Sequence, residues 1–147
     1  MVAIAFAFLL TLTATSAIAQ NFATAEEGRA MLDRVVAALK SDGAKALREF
    51  NDADNKQFHD RDLYVACFNI SDGKFTAAPP AMLGMDIRTF NAGDDPIGQR
   101  AFNAIQDAPE GTLVTMDYAF QKAGKPAVKQ SLETRIGNQG CGVSYYK

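Results

Sequence analysis

Few side chains in this sequence could make or break covalent bonds. There is one histidine, His59, and there are two cysteines, Cys67 and Cys141. His59 beside Asp60 is a poor start for a metal site, because structural zinc takes four ligands. Residues 51–61, NDADNKQFHDR, put Asp52, Asp54 and Lys56 at every second position, as a calcium loop would. The lysine occupies a ligand slot, and the required glycine and closing glutamate are missing, so calcium is excluded. No nucleophile elbow, phosphate loop or zinc-binding helix motif occurs, and no serine stands in a catalytic context. The expectation is a protein that is not an enzyme and uses neither metal nor cofactor.

The remaining chemistry is non-covalent binding. Tyr118 combines an apolar ring with a hydroxyl that could bond a ligand carboxylate, or it could be a core tyrosine bonded to backbone. Lys129 could pair with an anion, although strand periodicity alone turns it outward. Arg88 could clamp a carboxylate through two parallel hydrogen bonds, or lie solvated in its loop. Met82, Met85 and Phe90 would give an adaptable apolar lining, with ordinary core packing as the plain alternative. Tyr64 joins this candidate set, although core is the default for a strand aromatic, as it is for Phe75.

The ends and the charge narrow the class. Residues 1–19, MVAIAFAFLLTLTATSAIA, hold no charge and close on Ala17-Ile18-Ala19, an A-x-A site before Gln20. This reads as a cleaved secretory signal peptide, although no Lys or Arg precedes its apolar run. The unbroken apolar part stops near Leu10, short for a membrane span. The expectation is a periplasmic or secreted domain, 20–147, with no stable membrane anchor after cleavage. The formal net charge of −2 argues against nucleic acid, which needs a clustered basic face. In an exported chain Cys67 and Cys141 could form a disulfide, or remain two buried thiols.

The elements that must position these groups follow from periodicity. Thr24-Ala25-Glu26-Glu27 matches a capping box. Leu32, Val35, Val36 and Leu39 then form one helical stripe. Ser41-Asp42-Gly43 breaks the pattern, and Ala46, Leu47 and Phe50 resume it. Residues 51–61 form a polar loop with Phe58 as its packing anchor. Residues 62–73 are a strand, apolar on both faces and so covered on both sides, closing on Asp72-Gly73. Residues 74–78 form a second strand that Pro79-Pro80 ends. The stretch 81–95 is a long irregular loop, of a length often used for binding. A helix follows from Asp94-Asp95-Pro96, with Ile97, Ala101, Phe102 and Ile105 buried. Three strands finish the chain. In 112–121, Val114, Met116, Tyr118 and Phe120 share a face. In 127–136, Val128, Leu132 and Ile136 face one way, and Lys129, Glu133 and Arg135 the other. Residues 141–147 are the last strand. The class is α+β, with an antiparallel sheet of about five strands.

A set of ordered motifs runs through this frame: Asp60-Arg61-Asp62-Leu63-Tyr64-Val65, Asp72-Gly73, Pro79, Leu83-Gly84-Met85-Asp86, Asp117-Tyr118, Lys129-Gln130-Ser131, and Gly142-Val143-Ser144-Tyr145-Tyr146. Together they resemble a single Cache domain of the type that begins with a long helix. The resemblance implies a PAS-like fold, with the N-terminal helix across one face of the sheet and a small-molecule pocket on the other. It implies a sensor for a small organic acid or similar metabolite. With no signalling segment in this sequence, the domain would act through a membrane receptor or histidine kinase partner. It also implies that the first and last strands are central neighbours, which favours the Cys67–Cys141 bridge if the register allows it. Ala78 stands where the family often has a histidine, and Leu132 where it often has a tyrosine. The alternative is therefore a degenerate Cache scaffold that serves as a structural or protein-interaction module.

Overall fold

The computed structural model describes residues 22–147, so the signal segment lies outside the described residues. Helix α1 is Ala25–Ser41 and α2 is Gly43–Phe50. The capping box forms: the Thr24 hydroxyl accepts from the Glu27 amide at 3.2 Å, and the Glu27 carboxylate accepts from the Thr24 amide at 2.7 Å. Asp42 separates the two helices. Its amide donates to Ala38, ending α1, and its side chain accepts from the Lys45 amide, starting α2. Losing a cap of this kind costs about 1 kcal/mol. Thr24→Ala is expected to lower the unfolding free energy by that amount, read as a fall of roughly 0.5 M in the urea midpoint, and an unchanged midpoint would show the cap to be redundant.

Among the described residues six strands form one sheet, ordered β1-β2-β6-β5-β4, with β3 paired to the other side of β2. They are β1 His59–Asp60, β2 Leu63–Asn69, β3 Phe75–Ala77, β4 Val114–Lys122, β5 Lys125–Ile136 and β6 Gln139–Tyr146. All pairings are antiparallel. The two-residue β1 falls inside the stretch that the sequence marks as polar loop. His59 is placed there by its ring, whose Nε2 lies 2.7 Å from the Phe50 carbonyl oxygen. β4 and β5 join through Ala123-Gly124, both at positive φ, the two-residue turn that matches strand twist.

The sheet is covered on both faces. α1 and α2 cover one with Met31, Leu32, Val35, Ala46 and Phe50, packed on Leu63, Val65, Leu132, Val143 and Tyr145. Phe58 anchors its loop here as expected, edge-on to Phe50 with ring centroids 4.6 Å apart. The disulfide also lies in this layer. Cys67 and Cys141 are direct register partners, with Cα atoms 4.1 Å apart and both side chains buried.

Helix α3, Ile97–Gln106, and the long loop cover the other face. The loop contains a one-turn 3-10 helix, Ile87–Thr89. It is tied to β3: the Phe75 amide donates to the Met85 carbonyl, and the Gly84 amide donates to the Phe75 carbonyl. α3 starts at Ile97 with Pro96 at its cap. Gly98 lets the helix press against the loop: a Cβ there would overlap the Ile87 carbonyl oxygen, and its amide donates to the Phe90 carbonyl at 3.0 Å.

The alternation assigned to β5 needs correction. Lys129, Ser131 and Glu133 do share a face, but that face is buried, with Lys129 at 4 % and Glu133 at 7 % exposure. Glu133 lies beneath the cover made by α3 and the loop, and Lys129 lies among the rings of Tyr64, Phe120 and Tyr146, so neither points to solvent. Arg135, next on that face, is half-buried at the rim.

Candidate ligand cavity

The α3-side layer does not fill completely. A cavity of about 70 Å³ lies between the sheet and the α3–loop cover. The sheet contributes Tyr64, Ala66 and Phe68 from β2, Tyr118 from β4, Ser131 and Glu133 from β5, and Gly142 and Ser144 from β6. The cover contributes Ile97, Gly98 and Ala101 from α3, and Met82, Ile87 and Phe90 from the loop, with Phe75 closing from β3. A wider depression of about 500 Å³, open to solvent, is lined by residues such as Asn91, Phe120 and Pro126. None of its lining residues is ionisable, so it offers less discrimination than the smaller, better enclosed space.

Register explains why the cavity exists. Glu133 pairs with Gly142, and Ser131 with Ser144. A Cβ on Gly142 would come within 2.8 Å of the Glu133 Cγ. The glycine therefore makes room for the glutamate to lie across the sheet, beneath the cover.

The polar groups are few. The Ser131 hydroxyl donates to Glu133 Oε1 at 2.7 Å, while Oε2 is buried with no hydrogen-bond partner. Burial pushes the Glu133 carboxyl up to about 7, with the Ser131 bond opposing it. Burial pushes the Tyr118 hydroxyl up to about 12, opposed by its hydrogen bond with Ser144. The Tyr64 hydroxyl is also raised, first by burial and then by Tyr146.

Of the residues singled out in the sequence, Tyr118, Tyr64, Met82 and Phe90 come together on this cavity. Lys129 lies on the same face of β5 but outside the lining. Its Nζ sits over the rings of Tyr146 (4.8 Å), Phe120 (5.5 Å) and Tyr64 (5.7 Å), and burial lowers its pKa against the opposing pull of Asp62. Arg88 is held elsewhere: its guanidinium donates to both oxygens of Asp86 and to the Asp72 carbonyl, and lies 4.9 Å from the Phe102 ring centroid. Met85 is 48 % exposed, away from the cavity. Leu132 faces α1, so its place in the family pattern has no bearing on the cavity, and Ala78 packs beside the lining without joining it.

Sequence reasoning missed Glu133, Ser131 and Ser144. The usable signal was two polar residues two apart on one strand, facing a strand with glycine at 140 and 142. Small residues opposite buried polar ones mark a space. Among the described residues no group of three or more His, Cys, Asp or Glu is placed to hold a metal ion. Nor is any described helix long and apolar enough to cross a membrane.

No family model matches the chain, and no curated protein matches it. Solved structures do. A methyl-accepting chemotaxis protein from Vibrio parahaemolyticus superposes with a TM-score of 0.59 at 15% identity, over 82% of this chain and 86% of that one. The periplasmic sensor domain of a chemotaxis protein gives 0.59 at 18% identity, over 82% and 93%. A Cache chemosensory domain, described for its carboxylic acid recognition, gives 0.54 at 16% identity, over 82% and 86%. At these identities the likeness is one of fold, and that fold is the α+β architecture of Cache and periplasmic sensor domains.

Proposed function

We propose that this chain, which has the Cache fold, is an extracytoplasmic sensor-type domain that takes a small metabolite into the cavity beneath α3. The observation that carries this reading is the buried Glu133 carboxyl, with one oxygen unpartnered, in a mainly apolar cavity with a few hydroxyl groups. An apolar enclosure with a few convergent polar groups and a perturbed ionisable group is the usual form of a ligand site. The disulfide and the signal-like start fit an oxidising compartment, periplasmic or extracellular. Occupancy would be passed to a membrane receptor or histidine kinase partner.

A thermal-shift screen of small amines, amino acids, carboxylates and purines tests this. A ligand at 100 times its dissociation constant adds about 2.7 kcal/mol. For a domain of this size that raises the melting temperature by roughly 10 °C. A clear shift with one chemical class is the expected result. The small size of the cavity favours a second reading, a protein-interaction module on a Cache scaffold. A flat screen together with a stable protein partner would establish that reading instead.

A further inference from the structure

We propose that the ligand of this cavity is a small organic cation, a primary ammonium on a short apolar body, held by the free Oε2 of Glu133. The inference deepens the sensor reading and rests on it. Resemblance to Cache domains raises the expectation of a small organic acid. The cavity lining is chemically opposite to what such an acid needs, because none of its residues is Lys, Arg or His. Arg88 is engaged by Asp86, and the Lys129 Nζ sits among aromatic rings outside the lining. A carboxylate in the cavity would meet a second carboxyl group and no counter-charge.

An ammonium group meets the opposite situation. Glu133 Oε2 is an acceptor without a donor, buried to more than nine-tenths. The hydroxyl oxygens of Ser144 and Tyr118, also in the lining, can accept two further N–H bonds. Phe68, Phe75 and Phe90 supply aromatic walls that attract a cation and accept its hydrocarbon part. At about 10–15 Å³ for each water-sized occupant, the cavity has room for a ligand of roughly five non-hydrogen atoms.

The groups facing Glu133 set the pH response. β5 presents Ser131, with Lys129 beyond it. β4 presents Tyr118, β2 presents Tyr64, and β6 presents Gly142 and Ser144. Arg135, two residues on, is turned away to the carbonyls of Gln106 and Gly137. α3 and the loop bring Ile97, Ala101, Ile87 and Phe90, none of them ionisable. Glu133 is thus the one lining group that changes charge near neutrality, with its pKa raised to about 7. An ammonium ligand must displace its proton. Affinity is therefore expected to weaken on the order of 100-fold from pH 8 to pH 5.

Calorimetric titration of the purified protein with ethylammonium, propylammonium, propionate and 1-propanol tests this at both pH values. The expected result is binding of the ammonium ions alone, strongest at pH 8 and lost in Glu133→Gln. Ammonium binding that survives in Glu133→Gln, or that does not weaken at pH 5, overturns the role of Glu133. Binding of propionate in place of the amines, strengthening at pH 5, overturns the ammonium assignment and leaves the sensor reading standing. No binding by any of the four also overturns it, and the wider screen then decides the sensor reading separately.

Discussion

Glu133→Gln is expected to stabilise the ligand-free domain at pH 8 by roughly 3 kcal/mol and to leave its stability at pH 4 nearly unchanged. Burial raises this carboxyl from 4.5 to about 7 in the folded state. Below both values the folded and unfolded chains each carry the proton, and nothing is lost. Between them the unfolded chain has released its proton while the folded chain retains it. The unfolded state is therefore favoured progressively as pH rises, and above about 7 the penalty is constant. Glutamine has nearly the same shape, its carbonyl oxygen can still accept from the Ser131 hydroxyl, and it does not ionise. A melting series from pH 4 to pH 8 reads the effect directly. The two proteins should start together and diverge by on the order of 10 °C. Parallel curves would mean that Glu133 does not ionise in a buried site. The same buried carboxyl that weakens the free domain at neutral pH, with Oε2 unpartnered, is the group that the proposed ligand would engage.

Removing the disulfide is expected to cost more. Cys67 and Cys141 are separated by 74 residues. The chain-entropy model assigns about 4.5 kcal/mol to a loop of that length, as an upper estimate. Cys67→Ala with Cys141→Ala should therefore lower the melting temperature by on the order of 15 °C. Both side chains sit in the layer beneath α1, so small apolar replacements keep the packing largely intact. Most of the effect lies in the unfolded state. The urea midpoint should fall while the slope m rises, because the uncrosslinked chain exposes more surface. A lower midpoint with an unchanged slope would place the loss in native packing instead.

How far each feature could be read from sequence depended on how local its determinants are. Thr24 and Glu27 define a helix start within four residues, and the Leu32, Val35 and Leu39 stripe needs no partner to be recognised. Asp42 likewise announces the break it makes. The covered face of β2 was legible because Leu63 to Ile70 is apolar on both sides. The same double cover defeated the reading of β5. A two-residue period separates inside from outside only where one face meets water, and here Glu133 and Leu132 are both buried. The direction in which loop residues point has no period at all. Arg88 and Met85 look no different in sequence from Met82 and Phe90, and only the hydrogen bonds between the loop and β3 separate them. The cysteine pairing turned on one residue of register between strands that are far apart in the chain.

The position of β6 carries a consequence for how the protein is made. It is the last described strand in sequence, yet it lies between β2 and β5 at the middle of the sheet. A growing chain that has not reached residue 139 can form α1, α2 and the β4–β5 hairpin, but it cannot join β2 to anything that follows β3. The sheet is completed in one late step, across a long separation, and such closures are slow. Until then two strand edges stand open, and Cys67 has no partner thiol. Residues 22–138 alone therefore hold the helices and the outer parts of the sheet but not the strand that joins them, and the layer on which α1 packs is assembled only when β6 is in place.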